Sequence, residues 1–145
     1  MTQDFSYPVV LKKDPSGGYV VTCPDLPEVV TQGEDRRDAL LQAIDAVEEA
    51  LAGRIRRVDS IPLPSPAGRR DVVTVPPITA AKAALTLALR VSGLSRVELG
   101  DRLGIDEKQV RRLLDPSHAS RIDALAAALA ALGKCIGIRI LDRVA

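Results

Sequence analysis

Apolar and polar positions alternate at the start of the chain. Phe5, Tyr7, Val9 and Leu11 are separated by single residues, which is the period of a β-strand. The segment Asp14–Gly18 is typical of a turn, because its two glycines adopt positive φ at little cost. Further strands are predicted at Tyr19–Cys23, Glu28–Gln32 and Asp71–Val75.

The apolar period changes from two to three and four residues after the third strand. Asp35 can cap this helix, which is predicted to run to about Arg56. Its apolar face is formed by Leu40, Ile44, Val47, Leu51 and Ile55. The proline-rich stretch Ile61–Gly68 cannot be helical. The order β-β-β-α-β therefore predicts one sheet covered by one helix, forming a domain over residues 1–76.

The rest of the chain has helical periodicity. Thr79, Ser95, Asp106 and Ser120 each stand where they can cap a helix. The predicted helices span 80–91, 96–103, 107–114 and 121–132. Two of the starts have the spacing of a capping box, with Glu98 three residues after Ser95 and Gln109 three residues after Asp106. A second, all-α domain over residues 77–145 is predicted.

A last short strand is predicted at Cys135–Leu141, where Ile136, Ile138 and Ile140 alternate with other residues. The four helices offer this strand no partner. Unpaired backbone groups are costly, so we expect it to pair with the same strand of a second copy across a two-fold axis. The three isoleucines would then cover the helices, in a homodimer or a higher even oligomer. The alternative is that the strand joins the sheet of its own chain.

The segment from Ser95 to Leu114 matches a helix-turn-helix motif. Gly100 supplies the small residue where two helices touch, although the motif usually has Ala there, and Gly104 permits the left-handed turn. The core positions of the motif are Leu99, Leu103, Ile105, Val110 and Leu113. A generic helical hairpin is the alternative, but it does not require this combination of apolar residues and glycines.

Such a motif places its second helix in the major groove of double-stranded DNA. The candidate DNA-binding residues are Arg96, Glu107, Lys108, Arg111, Arg112 and His118. Lys and Arg can bind guanine or phosphate, and Glu can accept a hydrogen bond from cytosine. Each of these side chains could instead be a solvated surface group.

The net charge is only +1, but it is unevenly spread. Residues 1–79 carry 9 Lys and Arg against 12 Asp and Glu, whereas residues 80–145 carry 11 against 7. A basic half suits a polyanion and an acidic half suits a basic protein, unless the asymmetry is surface scatter. Cys23 and Cys135 are expected to be buried free thiols, with a single disulfide as the alternative. Since neither a signal peptide nor a membrane-spanning run is evident, we expect a cytoplasmic protein without membrane contact.

The front half resembles the HicB antitoxin family. The resemblance is carried by Tyr7–Val10, by Gly18–Pro27 with its Pro-Asp-Leu-Pro ending, by Thr31–Asp35 and by Ala39–Ala50. The back half is similar to the helix-turn-helix of one HicB branch, including Val110–Asp115 and His118–Ser120. Asp35 stands where the family usually has Thr, and Glu28-Val29 where it often has Gly-Cys.

The resemblance implies a degraded ribonuclease-H-like N-terminal domain that binds and masks HicA, a small basic toxin that cleaves RNA. It also implies that the C-terminal domain represses the toxin–antitoxin operon by binding operator DNA. The toxin-binding residues that it indicates are Tyr19, Asp25, Leu26, Pro27 and Glu28.

An active nuclease is not expected. Asp14 lies in a turn, Asp25 between prolines and Asp35 at a helix cap. None is in the middle of a strand, where a metal site would need it. A single His without a Cys/His cluster excludes zinc and triad chemistry, so we expect no enzyme, metal or cofactor. The alternative function is a one-component transcriptional regulator whose N-terminal domain senses a small ligand or another protein.

Overall fold

The computed structural model describes residues 3–142, which form two compact units. The first contains the chain up to Leu51, Pro62–Pro76 and the end from Ile140; the second contains Ala52–Ile61 and Pro77–Arg139. The elements are β1 (Ser6–Lys13), β2 (Tyr19–Thr22), β3 (Val30–Gly33), α1 (Arg36–Arg56), β4 (Asp71–Thr74), α2 (Pro77–Ser92), α3 (Arg96–Leu103), α4 (Glu107–Leu114) and α5 (Ile122–Ala131). The predicted α+β class and the order β-β-β-α-β followed by helices are confirmed.

The strands of the first unit form one antiparallel sheet with the order β3-β2-β1-β4. The beginning of β1 pairs with β4, as in Ser6 opposite Thr74, and its end pairs with β2, as in Lys13 opposite Tyr19. In this order β1 and β2 are the central strands, and β3 and β4 are the two edge strands. The turn between β1 and β2 is closed by the Asp14 carboxylate, which accepts a hydrogen bond from the Ser16 backbone N–H at 2.8 Å.

The core of the first unit combines alternate strand residues with the apolar face of α1. The side chains with at most 1% of their surface exposed include Tyr7, Val9, Val21, Val73, Ala39, Ala43, Val47 and Leu51. The helix begins as predicted, since the Asp35 carboxylate accepts from the Asp38 backbone N–H at 2.8 Å. The Tyr7 hydroxyl donates to the Pro62 carbonyl at 2.6 Å, which ties the proline-rich loop to the sheet.

The C-terminal end of α1 is closed by two backbone hydrogen bonds. The Asp59 N–H donates to the Arg54 carbonyl and the Val58 N–H donates to the Ile55 carbonyl, at 2.9 and 3.2 Å. This pairing is a Schellman motif, which places Val58 at the position where helices usually have glycine. Its φ is 59°, in the left-handed region that a β-branched residue adopts only with strain.

The second unit is built on α2–α5, whose buried side chains form one cluster. The fully buried members are Leu85, Leu99, Val110, Leu125 and Ala128. Helix α2 begins at Pro77, so Thr79 lies inside it and is not its cap. The prediction for Ser120 is also wrong, because the N-cap of α5 is Arg121, without a side-chain hydrogen bond. No helix within residues 3–142 is both long and apolar enough to cross a bilayer.

Candidate functional site

Both capping boxes of the helix-turn-helix motif are confirmed. The Glu98 N–H donates to the Ser95 hydroxyl at 3.0 Å, and the Ser95 N–H donates to the Glu98 carboxylate at 3.1 Å. Asp106 and Gln109 make the same reciprocal pair at 2.8 and 3.1 Å. The hydrogen bonds from the Ser95 backbone and hydroxyl lower the pKa of Glu98. Helices α3 and α4 therefore both start at fixed points of the chain.

The turn between α3 and α4 depends on two glycines, as predicted. Gly104 has a φ of 69°, and the Ile105 N–H donates to the Gly100 carbonyl at 3.0 Å. A Cβ on Gly100 would lie 2.6 Å from the Ile105 carbonyl oxygen and 3.4 Å from Val110 Cγ2. Leu99, Val110 and Leu113 are buried beside this contact, and Leu103 and Ile105 are partly buried against the same cluster.

The charged residues predicted for DNA binding are on the surface of the second unit. Arg96, Lys108, Arg111, Arg112 and His118 are exposed, and Glu107 is half-buried. Glu107 pairs with Arg111 one turn along α4 at 3.1 Å, and Arg96 approaches the same carboxylate group at 3.9 Å from α3. The fold thus brings these three residues together. Lys108 and Arg112 are on α4 beside them, whereas His118 lies beyond its C-terminal end.

Lys82 is a polar residue of this site that the sequence analysis missed. It lies on α2 with none of its surface exposed. Its ammonium group lies 2.7 to 3.0 Å from the carbonyl oxygens of Arg112, Asp115 and His118, and 2.8 Å from the Ser120 hydroxyl. The signal was the position of Lys82 on an otherwise apolar helical stripe with Ile78, Leu85 and Leu89.

The residues predicted to bind the toxin divide into surface and interior groups. Pro27 and Glu28 are exposed, and Tyr19 is half-buried on β2. Asp25 is held in place, since its carboxylate accepts from the Ser65 N–H at 2.9 Å and from the Ser65 hydroxyl at 3.0 Å. Leu26 has no exposed surface, so its side chain belongs to the core and offers no contact to a partner.

The C-terminal segment differs from its prediction in the single chain. Within the described part, residues 134–142 form neither helix nor strand. Ile136 packs against the helical cluster, but Ile138 and Ile140 are 82% and 88% exposed. The expectation that all three isoleucines cover the helices concerns a dimer, and it stays a prediction for Ile138 and Ile140.

Among residues 3–142, the two cysteines form no disulfide and the acidic residues form no metal site. Both thiols are free, with Cys23 buried and Cys135 exposed, so the expected burial of Cys135 is wrong. Burial raises the pKa of the Cys23 thiol. No group of three His, Cys, Asp or Glu residues in the described range is arranged to hold a metal ion.

Comparison with known proteins identifies relatives over most of the chain. Residues 6–84 match the family model described as the HicB-like antitoxin of bacterial toxin–antitoxin systems. Antitoxin HicB of Escherichia coli K12 is 40% identical over 129 residues, which cover 88% of this chain and 94% of the relative. Antitoxin HicB 1 of Photorhabdus laumondii is 36% identical over 138 residues, covering 95% and 88%, respectively. Antitoxin HicB of Pseudomonas fluorescens is 37% identical over 135 residues and 91% of each chain. The chain therefore belongs to the HicB-like antitoxin family of bacterial toxin–antitoxin systems.

Proposed function

We propose that this antitoxin binds and neutralises a HicA-type RNA-cleaving toxin and represses its own operon by binding operator DNA. The toxin is bound by the N-terminal unit and the operator by the helical unit. The observation that carries the DNA-binding part is the exposed cationic surface of α4, formed by Lys108, Arg111 and Arg112 on a helix that follows a tight turn. Membership of the HicB-like family carries the antitoxin part.

The surface of α4 has the chemistry that operator binding requires. A recognition helix reads bases with a few side chains and is oriented by contacts to phosphates. Glu107 holds Arg111 through their ion pair, which orders the guanidinium before DNA arrives. The same carboxylate repels phosphates and can accept a hydrogen bond from cytosine, so it favours base contacts over non-specific backbone contacts. Arg96, at the start of α3, is placed to bind a phosphate.

The toxin-binding part of the proposal rests on the surface at the β2–β3 turn and the neighbouring edge strand. Pro27 and Glu28 are exposed in the turn, and Val30 at the start of β3 is 67% exposed. An edge strand presents unpaired backbone groups and is a common place for a partner protein to dock. Glu28 adds negative charge, which suits a basic partner.

We also propose that the C-terminal segment joins two chains. Ile138 and Ile140 are exposed, although large apolar side chains at alternate positions of the sequence are typical of a buried strand. Pairing of two such segments across a two-fold axis would bury them and satisfy the backbone of both chains. The resulting dimer carries two copies of α4 and fits an operator with two half-sites about one helical turn apart.

Co-expression with the neighbouring short gene tests the proposal. We expect the full chain to rescue growth, to co-purify with the product of that gene, and to shift a duplex from its own promoter in a gel titration. A chain of residues 1–76 should still rescue growth but should not shift the duplex. A chain that binds the promoter without any neighbouring toxin gene would contradict neutralisation and favour a one-component regulator. A chain that rescues growth but ignores the promoter would contradict repression.

A further inference from the structure

The ammonium group of Lys82 sits in a cage of backbone oxygens at the end of α4. It donates to the carbonyls of Asp115 and His118 at 2.7 Å and to that of Arg112 at 3.0 Å. The Ser120 hydroxyl completes the cage at 2.8 Å. Three of these acceptors belong to the last turn of α4 and the bend that follows it, although Lys82 itself lies on α2. One side chain thus connects α2, the helix before the motif, to the end of α4, the second helix of the motif.

Physical chemistry explains why these oxygens need a cation. The last four carbonyls of a helix have no partner within the helix, and the C-terminal end of a helix carries partial negative charge. Arg112 contributes one such carbonyl to the cage, and the bend places those of Asp115 and His118 beside it. Without Lys82, all three carbonyls would lose their charged donor in a part-buried place. The Asp115 carbonyl would keep the His118 N–H at 3.1 Å and the Arg112 carbonyl the Ser120 hydroxyl at 3.4 Å, so the bend would keep only weaker, neutral hydrogen bonds at these two oxygens.

A buried lysine is also costly in itself. Desolvation lowers its pKa, and the negative charge of Asp115 opposes this effect only in part. A site that required nothing but packing would be served better by Leu, which suits the neighbouring positions of the same stripe. The charged side chain does here what an apolar one could not, because it donates to three carbonyls at the end of α4 and in the bend after it.

We propose that Lys82 is the positioning residue of the recognition helix: it fixes the C-terminal end of α4 and the bend to Ser120, and so sets the orientation in which Arg111 and Arg112 meet DNA. This inference rests on the proposed DNA-binding function. Arg112 is central to this inference. Its backbone carbonyl accepts a hydrogen bond from Lys82, and its side chain is exposed on α4.

The test compares operator affinity with affinity for a scrambled duplex, both measured by fluorescence anisotropy on the full chain. In Lys82→Met we expect the ratio of these affinities to fall about tenfold or more. A loss of stability alone would scale both affinities by the folded fraction and leave the ratio unchanged. Lys134→Met, at an exposed lysine of the same unit, removes the same charge without touching the cage and should keep the native ratio.

The remaining outcomes are separated by two further variants. A folded Lys82→Met chain with the native ratio would overturn the proposal. If circular dichroism shows that this variant does not fold, Lys82→Gln, which keeps two N–H donors, decides the question by the same ratio. If neither variant folds, Lys82 serves folding and the positioning role is overturned. Native operator binding by the double variant Arg111→Ala/Arg112→Ala would instead remove these two arginines from the interface. Failure of the native chain to bind the operator would overturn the DNA-binding function itself.

Discussion

Gly100 on α3 and Ile105 at the entrance to α4 are in direct backbone contact. The Ile105 N–H donates to the Gly100 carbonyl at 3.0 Å, while the Ile105 carbonyl oxygen occupies the space next to the Gly100 Cα. A side chain at position 100 would lie 2.6 Å from that oxygen. The close approach of the two helices therefore depends on the absence of a Cβ, not only on the flexibility of glycine.

Gly100→Ala is expected to destabilise the helical unit even though alanine favours helix formation. The gain in helix propensity is roughly 1 kcal/mol, whereas forcing an atom into a packed contact costs ~1–3 kcal/mol. The matched control is Gly53→Ala in α1, where the atom nearest to the added Cβ would be the end of the flexible Arg57 side chain at 2.9 Å. Thermal unfolding should show a lower Tm for the first variant and an unchanged or higher Tm for the second. Equal shifts in both would contradict the contact.

Val58→Gly is expected to stabilise the end of α1. The Schellman motif holds this residue at a φ of 59°. This conformation lowers the stability of a chain with an L-amino acid there by about 1–2 kcal/mol, whereas glycine adopts it without that cost. The side chain is 71% exposed, so little packing is lost. Urea unfolding should show a gain of about 1 kcal/mol. At Val91, which is exposed on regular helix α2, the same replacement should destabilise; a loss at both positions would argue against strain at Val58.

The capping box of α3 should make the helical unit more sensitive to acid. The pKa of Glu98 is lower in the folded chain than in the unfolded chain, so its stabilising effect is complete above the unfolded value and is lost as the pH falls through the folded value. Glu98→Gln retains the acceptor but does not titrate. We expect the Tm difference between the native chain and this variant to be largest near pH 7 and to shrink below about pH 4. A difference independent of pH would contradict the role of the charged carboxylate.

Arg111→Ala and Arg112→Ala should each weaken operator binding without affecting toxin binding. A bidentate base contact contributes ~1–3 kcal/mol of discrimination, whereas a lost phosphate contact lowers the salt slope by about 1. We expect one variant to lose discrimination and the other to lose mainly salt-dependent affinity. Arg121→Ala is the control, since this exposed arginine pairs with Asp123 at the start of α5 and lies outside α4. Gel-shift titrations in which both variants bind like the native chain would exclude these residues from the interface.

Deletion of residues 135–145 should convert the protein into a monomer. The segment with Ile138 and Ile140 would then be absent, and a single α4 would bind the operator far more weakly than two. The double change Ile138→Asp/Ile140→Asp should have the same effect, whereas Val91→Asp, at another exposed apolar residue, should not. Light scattering measures the oligomeric state, and growth rescue should persist in all three variants. A truncated chain that remains dimeric would place the dimer contact on another surface.

The parts of the fold that could be predicted depend on neighbours in the sequence. Ser95 and Asp106 are recognisable as caps because their partners are three residues away, and Gly104 marks the turn by its own conformational freedom. Alternation and helical periodicity likewise located the four strands and the helix between them. Ser120 had the same local signal as Ser95, yet the structure uses its hydroxyl as an acceptor for Lys82 and leaves α5 without a side-chain cap.

The parts that could not be predicted depend on distant or external partners. Three of the acceptors of Lys82 are backbone carbonyls 30 or more positions away, and carbonyls carry no sequence signature. The buried state of Leu26 depends on how the Pro-Asp-Leu-Pro turn folds back on the core. The partner of the segment around Ile138 is not contained in one copy of the chain, so neither the sequence nor a single molecule supplies it.

The exposed isoleucines of the C-terminal segment have a consequence for how the operon responds to protein level. Under the proposed pairing, the species that binds the operator is a dimer. When most of the protein is monomeric, the dimer concentration varies with the square of the monomer concentration. Halving the amount of antitoxin would then lower the dimer about fourfold. Repression would therefore be released more steeply than the antitoxin itself is lost, and transcription would resume while much of the protein is still present to hold the toxin.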